Sequence, residues 1–345
     1  MTDWRMPAEW ERHDRTWMAW PSSGYTLGAT EEEADDARRT WAAVARAVAR
    51  FEPVTMVVTP PDVGVAREHL GTGSEHEIDI VETDLDDAWM RDIGPTFVVA
   101  GDRLGGVDWV FNGWGAQHWA SWDDDAQVAE LVSDVVGAAH LPSTLVNEGG
   151  GIHVDGQGTV LLTETVQLDP GRNPSLTKDD VEAEMARAIG ATHAIWLPRG
   201  LTRDYDEFGT RGHIDIVACF SEPGVVLLHW QDDPEHPDHE VSREAEAVLL
   251  AATDAKGDPL RVVRVPAPRT LRDDEGWVDW SYINHLVCNG GVIACTFDDP
   301  RDDEALAVLR EAYPGREVVG VDARPLYDRG GGIHCITQQQ PAIQR

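Results

Sequence analysis

Gly330-Gly331-Gly332-Ile333-His334-Cys335-Ile336-Thr337-Gln338-Gln339 has an earlier near-copy, Glu148-Gly149-Gly150-Gly151-Ile152-His153-Val154. In both, three glycines run into a short apolar stretch. Glycine tolerates positive φ and lets backbone approach a neighbour closely, so a triple run ahead of a strand predicts a shaped rim. The copies differ in chemistry: an acid precedes the glycines of the early one, and Cys335 of the late one stands where the early one has Val154. Two readings fit this stretch alone. Cys335 is either a small buried hydrophobe in a repeated turn or a thiol at the rim of a site.

The segments around these copies repeat one order. Residues 96–99 and 107–111 read as a hairpin turning at Gly101-Asp102, followed by a helix over 126–139 and a strand at 144–146. Residues 152–154 and 159–162 form the next hairpin, with a helix capped by Thr177 and a strand at 194–197. The stretch 213–265 and the stretch 282–321 each give one more hairpin, helix and strand. Nearer the start, Thr30-Glu31-Glu32-Glu33 is a capping-box pattern, ahead of Ala37, Trp41, Val44, Ala45 and Val48 at helical spacing and a strand at 54–58. The repeat has a loose period of about fifty to seventy residues. A strand at 333–337 lacks a partner downstream and one at 17–20 lacks a partner upstream, so pairing them would complete a fifth unit and close a ring. The expected fold is α/β, a five-bladed pseudo-symmetric α/β propeller of ββαβ units, with residues 1–345 as a single domain.

The chain has 345 residues with 62 acidic and 28 basic side chains, a formal net charge of -34. That field repels nucleic acid and anionic lipid and attracts small cations. Four widely spaced cysteines form neither a disulfide framework nor a zinc motif. Met1 to Trp20 carries no apolar leader core, and no stretch approaches the ~18 apolar residues of a membrane helix. The expectation is a cytoplasmic protein with a small cationic partner, no nucleic-acid or membrane partner, and freedom to form a homo-oligomer.

Cysteine chemistry needs a thiolate and a nearby acid–base group. His213 and Asp215 lie two apart in a predicted strand, which would put both side chains on one face. Asp92 and Glu148 occupy the corresponding positions of two other units. Four units thus deliver Asp92, Glu148, the His213/Asp215 pair and Cys335 to one end of the predicted ring. Cys219, Cys288 and Cys295 sit among apolar residues and read as core, while His153 and His334 are secondary candidates for lining the site.

Segments 87–95, 111–115, 148–158, 172–174, 196–200, 212–215 and 331–341 together resemble the agmatine deiminases of the guanidino-group-modifying (pentein) superfamily, over nearly the entire chain. The resemblance implies a five-bladed α/β propeller, Cys335 as nucleophile, His213 as general acid–base, Asp92 and Asp215 as guanidinium clamp, and Glu148 as the residue orienting the imidazole. It also implies that Trp89, Gly331 and Gly332 line the substrate site, and that no metal or organic cofactor takes part. The implied reaction is hydrolysis of agmatine to N-carbamoylputrescine and ammonia through a cysteine thiouronium. Ile93, Ala116, Arg211 and the short 117–122 stretch depart from the family pattern near the far end of the expected pocket. Another guanidino substrate, amidino transfer to an amine, or a non-catalytic binding module on the same scaffold are the alternatives.

Overall fold

The computed structural model describes residues 4–343. It is a mixed α/β structure in which the strands fall into five small sheets. The first holds β1 (His13–Ala19), β2 (Val54–Val58) and β3 (Ile78–Glu82). The second holds β4 (Thr96–Ala100), β5 (Arg103–Val110) and β6 (Ala139–Val146), and the third β7 (His153–Val154), β8 (Thr159–Thr163) and β9 (His193–Leu197). The fourth holds β10 (Ala218–Glu222), β11 (Val225–Trp230) and β12 (Arg261–Pro266), and the fifth β13 (Leu286–Cys288), β14 (Gly291–Thr296) and β15 (Glu317–Asp322). The last strand, β16 (Thr337–Pro341), returns to the first sheet.

Each of the last four sheets pairs an antiparallel hairpin with a parallel third strand reached through a helical crossover. The middle strands Thr159–Thr163 and Val225–Trp230 are apolar on both faces and almost wholly buried. Strands covered on both faces read as continuous apolar runs, which is why alternation is weak here. The outer strands β3 and β15 are part-exposed. Outside them lie the crossover helices, such as Glu31–Val48. Thr30 and Glu33 form its capping box, and Ala37, Trp41, Val44, Ala45 and Val48 face the core.

The expected pairing of first and last strands is present. β1 runs antiparallel to β16, with Thr16 opposite Gln339 and Met18 opposite Thr337, and parallel to β2. The fully buried Trp17 indole donates to Gln340 Oε1 at 3.0 Å. Buried Glu52 accepts from Thr16 Oγ1 at 2.6 Å and from the Asn289 backbone N–H at 2.7 Å, tying the first sheet to the fifth. The first sheet thus repeats the order of the others, with β16 and β1 as its hairpin pair and β3 as an addition that the sequence reading lacks.

Two local expectations are corrected. His213 and Asp215 are not on a strand: Ile214–Ile216 is a 3-10 turn with His213 at its N-cap, and β10 begins only at Ala218. Cys335 is not on a strand either. Residues 333–336 form a turn closed by Thr337, whose N–H donates to His334 O and whose hydroxyl donates to Ile333 O. The apolar Ile–X–Cys–Ile pattern mimics a strand because the turn is buried on all sides.

Trp17→Ala removes the largest side chain at the junction of the chain ends together with its hydrogen bond. It should lower stability by about 3–5 kcal/mol, read from the midpoint of chemical denaturation.

Candidate active site

The loop ahead of the first strand of each sheet points into one buried cluster. Asp92 comes before β4, Glu148 before β7, His213 and Asp215 before β10, Asn284 before β13 and Cys335 before β16. All are at most 5 % exposed. The five residues expected to gather, Asp92, Glu148, His213, Asp215 and Cys335, are brought together.

Cys335 Sγ lies 3.5 Å from Asp215 Oδ2 and accepts a hydrogen bond from Asn284 Nδ2 at 3.2 Å. His213 Nε2 is 3.1 Å from Glu148 Oε2, and its Nδ1 faces Asp92 Oδ2 at 3.9 Å. Asp92 accepts from Gly150 N–H at 3.0 Å and from the Trp114 indole at 2.9 Å. Glu148 receives the Arg172 guanidinium, with Nε 3.0 Å from each carboxylate oxygen. Asp204, itself buried, accepts from the backbone N–H groups of Thr210 and His213 and so fixes the loop that carries the imidazole.

The glycines serve close approach. A Cβ on Gly150 would lie 2.5 Å from His213 Nδ1 and 3.0 Å from Asp92 Oδ1, and one on Gly331 would lie 3.0 Å from Cys335 Sγ and 2.8 Å from the Trp89 ring. Gly331 therefore lies between the thiol and the Trp89 ring. Gly332 instead packs on Asn284. His153 turns towards Glu9 beneath the cluster, and His334 bridges Glu9 and Asp215. Cys219, Cys288 and Cys295 are buried in the core.

The charges decide the protonation states. Burial opposes charge on His213, but Asp92, Glu148 and Asp215 outweigh it and lift its pKa to about 9. Burial likewise opposes the Glu148 carboxylate, yet Arg172 and His213 hold it at about 2. Asp92 goes the other way: burial, with Glu148 and Asp215 adding to it, pushes it up to about 6. Burial and the carboxylates of Asp215 and Asp92 push the Cys335 thiol well above its ordinary range. Two polar atoms inside the cluster, His213 Nδ1 and Asp215 Oδ1, are buried with no hydrogen-bond partner among the described residues. The arrangement is an anionic pocket around a thiol and an imidazolium, built to receive a planar donor-rich cation.

An aromatic wall closes the far side. Trp114 stacks on Trp119 with centroids 5.3 Å apart, Trp119 meets Phe208 at 5.1 Å, and Phe208 stacks on Tyr25 at 3.5 Å. Arg211 lies along this side, its guanidinium 3.1 Å from Asp169 Oδ2.

Asn284 and Glu9 are the site residues that sequence reading missed. Glu9 sits in an irregular N-terminal segment with no motif. Asn284 carries a usable signal: it precedes the hairpin of the one unit without a predicted site residue.

Five small α/β sheets bring a buried thiol, imidazole and carboxylates together, the constellation of a thiol-dependent enzyme. The model of the Porphyromonas-type peptidyl-arginine deiminase family matches residues 5–341, and the chain belongs to that family. It is 58% identical over 339 residues to a Streptomyces coelicolor protein provisionally named agmatine deiminase, covering 98% of each chain. It is 41% identical over 360 residues to the agmatine deiminase of Stutzerimonas stutzeri, covering 98% of this chain and 95% of that one. The solved agmatine deiminase of Enterococcus faecalis superposes with a TM-score of 0.90 at 34% identity, covering 98% of this chain and 96% of the other.

Because its pKa is raised on folding, protonated His213 contributes stability in full below pH ~6.5, and the contribution decays as pH rises through about 9. Glu148→Gln should bring the His213 titration, followed by ring-proton NMR, down from about 9. It should also cost about 3 kcal/mol of stability by leaving the buried Arg172 with Asp169 as its remaining carboxylate, at 3.4 Å.

Proposed function

We propose that this protein hydrolyses agmatine to N-carbamoylputrescine and ammonia through a covalent intermediate on Cys335. The observation that carries the reading is the buried carboxylate oxygen Asp215 Oδ1, which has no hydrogen-bond donor among the described residues, within a cluster of carboxylates around a thiol. A guanidinium supplies the missing donor and a further positive charge.

Asp92 and Asp215 clamp the cation from two sides, which fixes its central carbon over Sγ. Arrival of the cation offsets the carboxylates that hold the thiol protonated, so the thiolate forms as substrate binds and its proton leaves to solvent. Sγ attacks the guanidinium carbon, and the C–S bond forms as the π pair moves onto nitrogen. His213, charged at neutral pH, gives its proton to the departing nitrogen, and the C–N bond breaks to release ammonia. The neutral imidazole then takes a proton from water, whose oxygen attacks the thiouronium carbon. Collapse of that adduct breaks the C–S bond, its electron pair goes to sulfur, and the hydroxyl proton passes to the sulfur, leaving the ureido product and the resting thiol. Glu148, fixed by Arg172, orients the imidazole throughout. Asn284 donates to the sulfur and stabilises its anion, and Trp89 and Gly331 keep the approach to it narrow.

The substrate's tail follows from the far side of the site. Agmatine ends in an ammonium, whereas arginine adds a carboxylate there. Arg211 is the added cation of that region, but Asp169 engages its guanidinium, and the protein's net charge of -34 favours a dication. In the same reading, residues 1–345 form one five-bladed propeller domain acting in the cytoplasm. The β1–β16 pairing supports closure of the ring, and no helix among the described residues is long and apolar enough to cross a membrane.

Cys335→Ala should abolish ammonia release while leaving the denaturation midpoint near that of wild type. Turnover by a folded Cys335→Ala protein would overturn the nucleophile assignment. For the tail, kcat/KM is compared for agmatine, arginine and 4-guanidinobutyrate in wild type and Arg211→Asn. Agmatine should lead in both proteins. A wild-type preference for the two carboxylates, reversed in the variant, would move the chain to a different guanidino substrate.

A further inference from the structure

His334 immediately precedes Cys335 in sequence, yet its ring faces away from the sulfur. Nδ1 lies 2.8 Å from Asp215 Oδ2, and Nε2 lies 2.8 Å from Glu9 Oε1. The ring and both carboxylates are buried. A neutral imidazole has one N–H and one lone pair, so it would set that lone pair against a carboxylate oxygen at one end. Only the imidazolium donates to both.

The other charged or titratable groups around the ring fit that state. Arg91 Nη1 is 3.5 Å from Glu9, so Glu9 has a second cation. The His153 ring lies 6.3 Å away, with Nδ1 accepting from the Phe220 N–H. His285, held by Tyr282 O and the Tyr313 hydroxyl, is pushed down to about 4 by burial and stays neutral. Cys335 follows in the chain, its thiol 3.5 Å from the same Asp215 oxygen. Burial and Arg91 oppose charge on His334, while Glu9 and Asp215 favour it, and the balance is upward.

The geometry divides the two oxygens of Asp215. Oδ2 is taken by His334 and is also the atom nearest Sγ. Oδ1 is buried and unpartnered. We propose that His334 is a permanently charged positioning residue, with Glu9 as its counter-carboxylate, that holds Asp215 ionised and turns Oδ1 towards the guanidinium. This inference rests on the reading of Asp215 as a guanidinium ligand. His334 touches neither substrate nor sulfur and acts through Asp215. Without the imidazolium, Asp215 would be a buried carboxyl beside Asp92, and it would take up a proton at a higher pH.

The charge is tested on the intact protein by nitrogen-15 NMR of labelled histidines, with the resonance assigned from its loss in His334→Gln. Both ring nitrogens should be protonated throughout pH 6 to 8.5, and Glu9→Gln should bring the titration down by at least one pH unit. A neutral tautomer in wild type at pH 7.5 would overturn the proposal. The positioning role is tested by the pH profile of kcat/KM for agmatine. In His334→Gln the acid limb should move up by at least one pH unit, with activity recovering part-way towards wild type near pH 9 as Asp215 ionises. A merely structural role would lower activity equally at all pH values, and that outcome would overturn the positioning role. If His334→Gln does not fold, Glu9→Gln still identifies the resonance, as the one whose titration it lowers, and carries the kinetic test by the same displacement. The function reading fails separately, through turnover by Cys335→Ala, and would leave the imidazolium measurement standing.

Discussion

Four carboxylates, Glu9, Asp92, Glu148 and Asp215, are buried side by side, and each must be met by positive charge or lose its own. An uncompensated buried anion costs several kcal/mol, so the surrounding residues are chosen by that constraint. Glu148 has Arg172, Glu9 has Arg91 and His334, and Asp215 has His334. Asp92 alone receives only neutral donors, Gly150 N–H and the Trp114 indole, with His213 at 3.9 Å. It is also the member whose pKa is pushed up to about 6. Asp92 is the carboxylate with no hydrogen-bonded cation, and a guanidinium is a cation of the right shape to fill that place.

The fold meets the same constraint by division of labour. A single loop could not hold several carboxylates this close, since each would repel its neighbours and be drawn to solvent. Here each sheet supplies one loop, anchored by the strand that follows it, so the repulsion is borne by the sheets and not by any one turn. Arg91 adds a tie across two of these loops. Its backbone N–H donates to Cys335 O, and its guanidinium reaches His334 O and Gln339. The buried arginine thus fixes the turn carrying the thiol from beneath, while Asn284 fixes it from the side by accepting from His334 N–H.

How much of this was legible depends on which signal carried each part. Hairpin, helix and parallel strand were readable from turn chemistry and apolar runs, and the equivalence of the units pointed to Asp92, Glu148, His213, Asp215 and Cys335. The local conformation at the two chemical turns was not readable. Ile214–Ile216 and 333–336 have the apolar spacing of strands, but their carbonyls are met by Asn284, Ser281 and Arg91 from other segments and not by a neighbouring strand. Asn284 was missed because an asparagine before an apolar run reads as an ordinary turn residue. Glu9 was missed because its partners, Arg91 and His334, lie some 80 and 325 residues away along the chain.

The segment that aims Trp114 at Asp92 shows what the site demands of its wall. Trp114, Gly115 and Ala116 all have positive φ, at 55°, 90° and 55°. A left-handed conformation costs a side-chain-bearing residue roughly 1–2 kcal/mol, and two of the three bear side chains. The run is held by Asn112, whose carbonyl oxygen accepts from Gly115 N–H at 2.9 Å and whose amide donates to Gly171 O at 3.0 Å. The Trp114 N–H delivered by this run is a rigid neutral donor to Asp92, whose nearest cation, His213, stands 3.9 Å away, and it keeps that carboxylate oriented without discharging it.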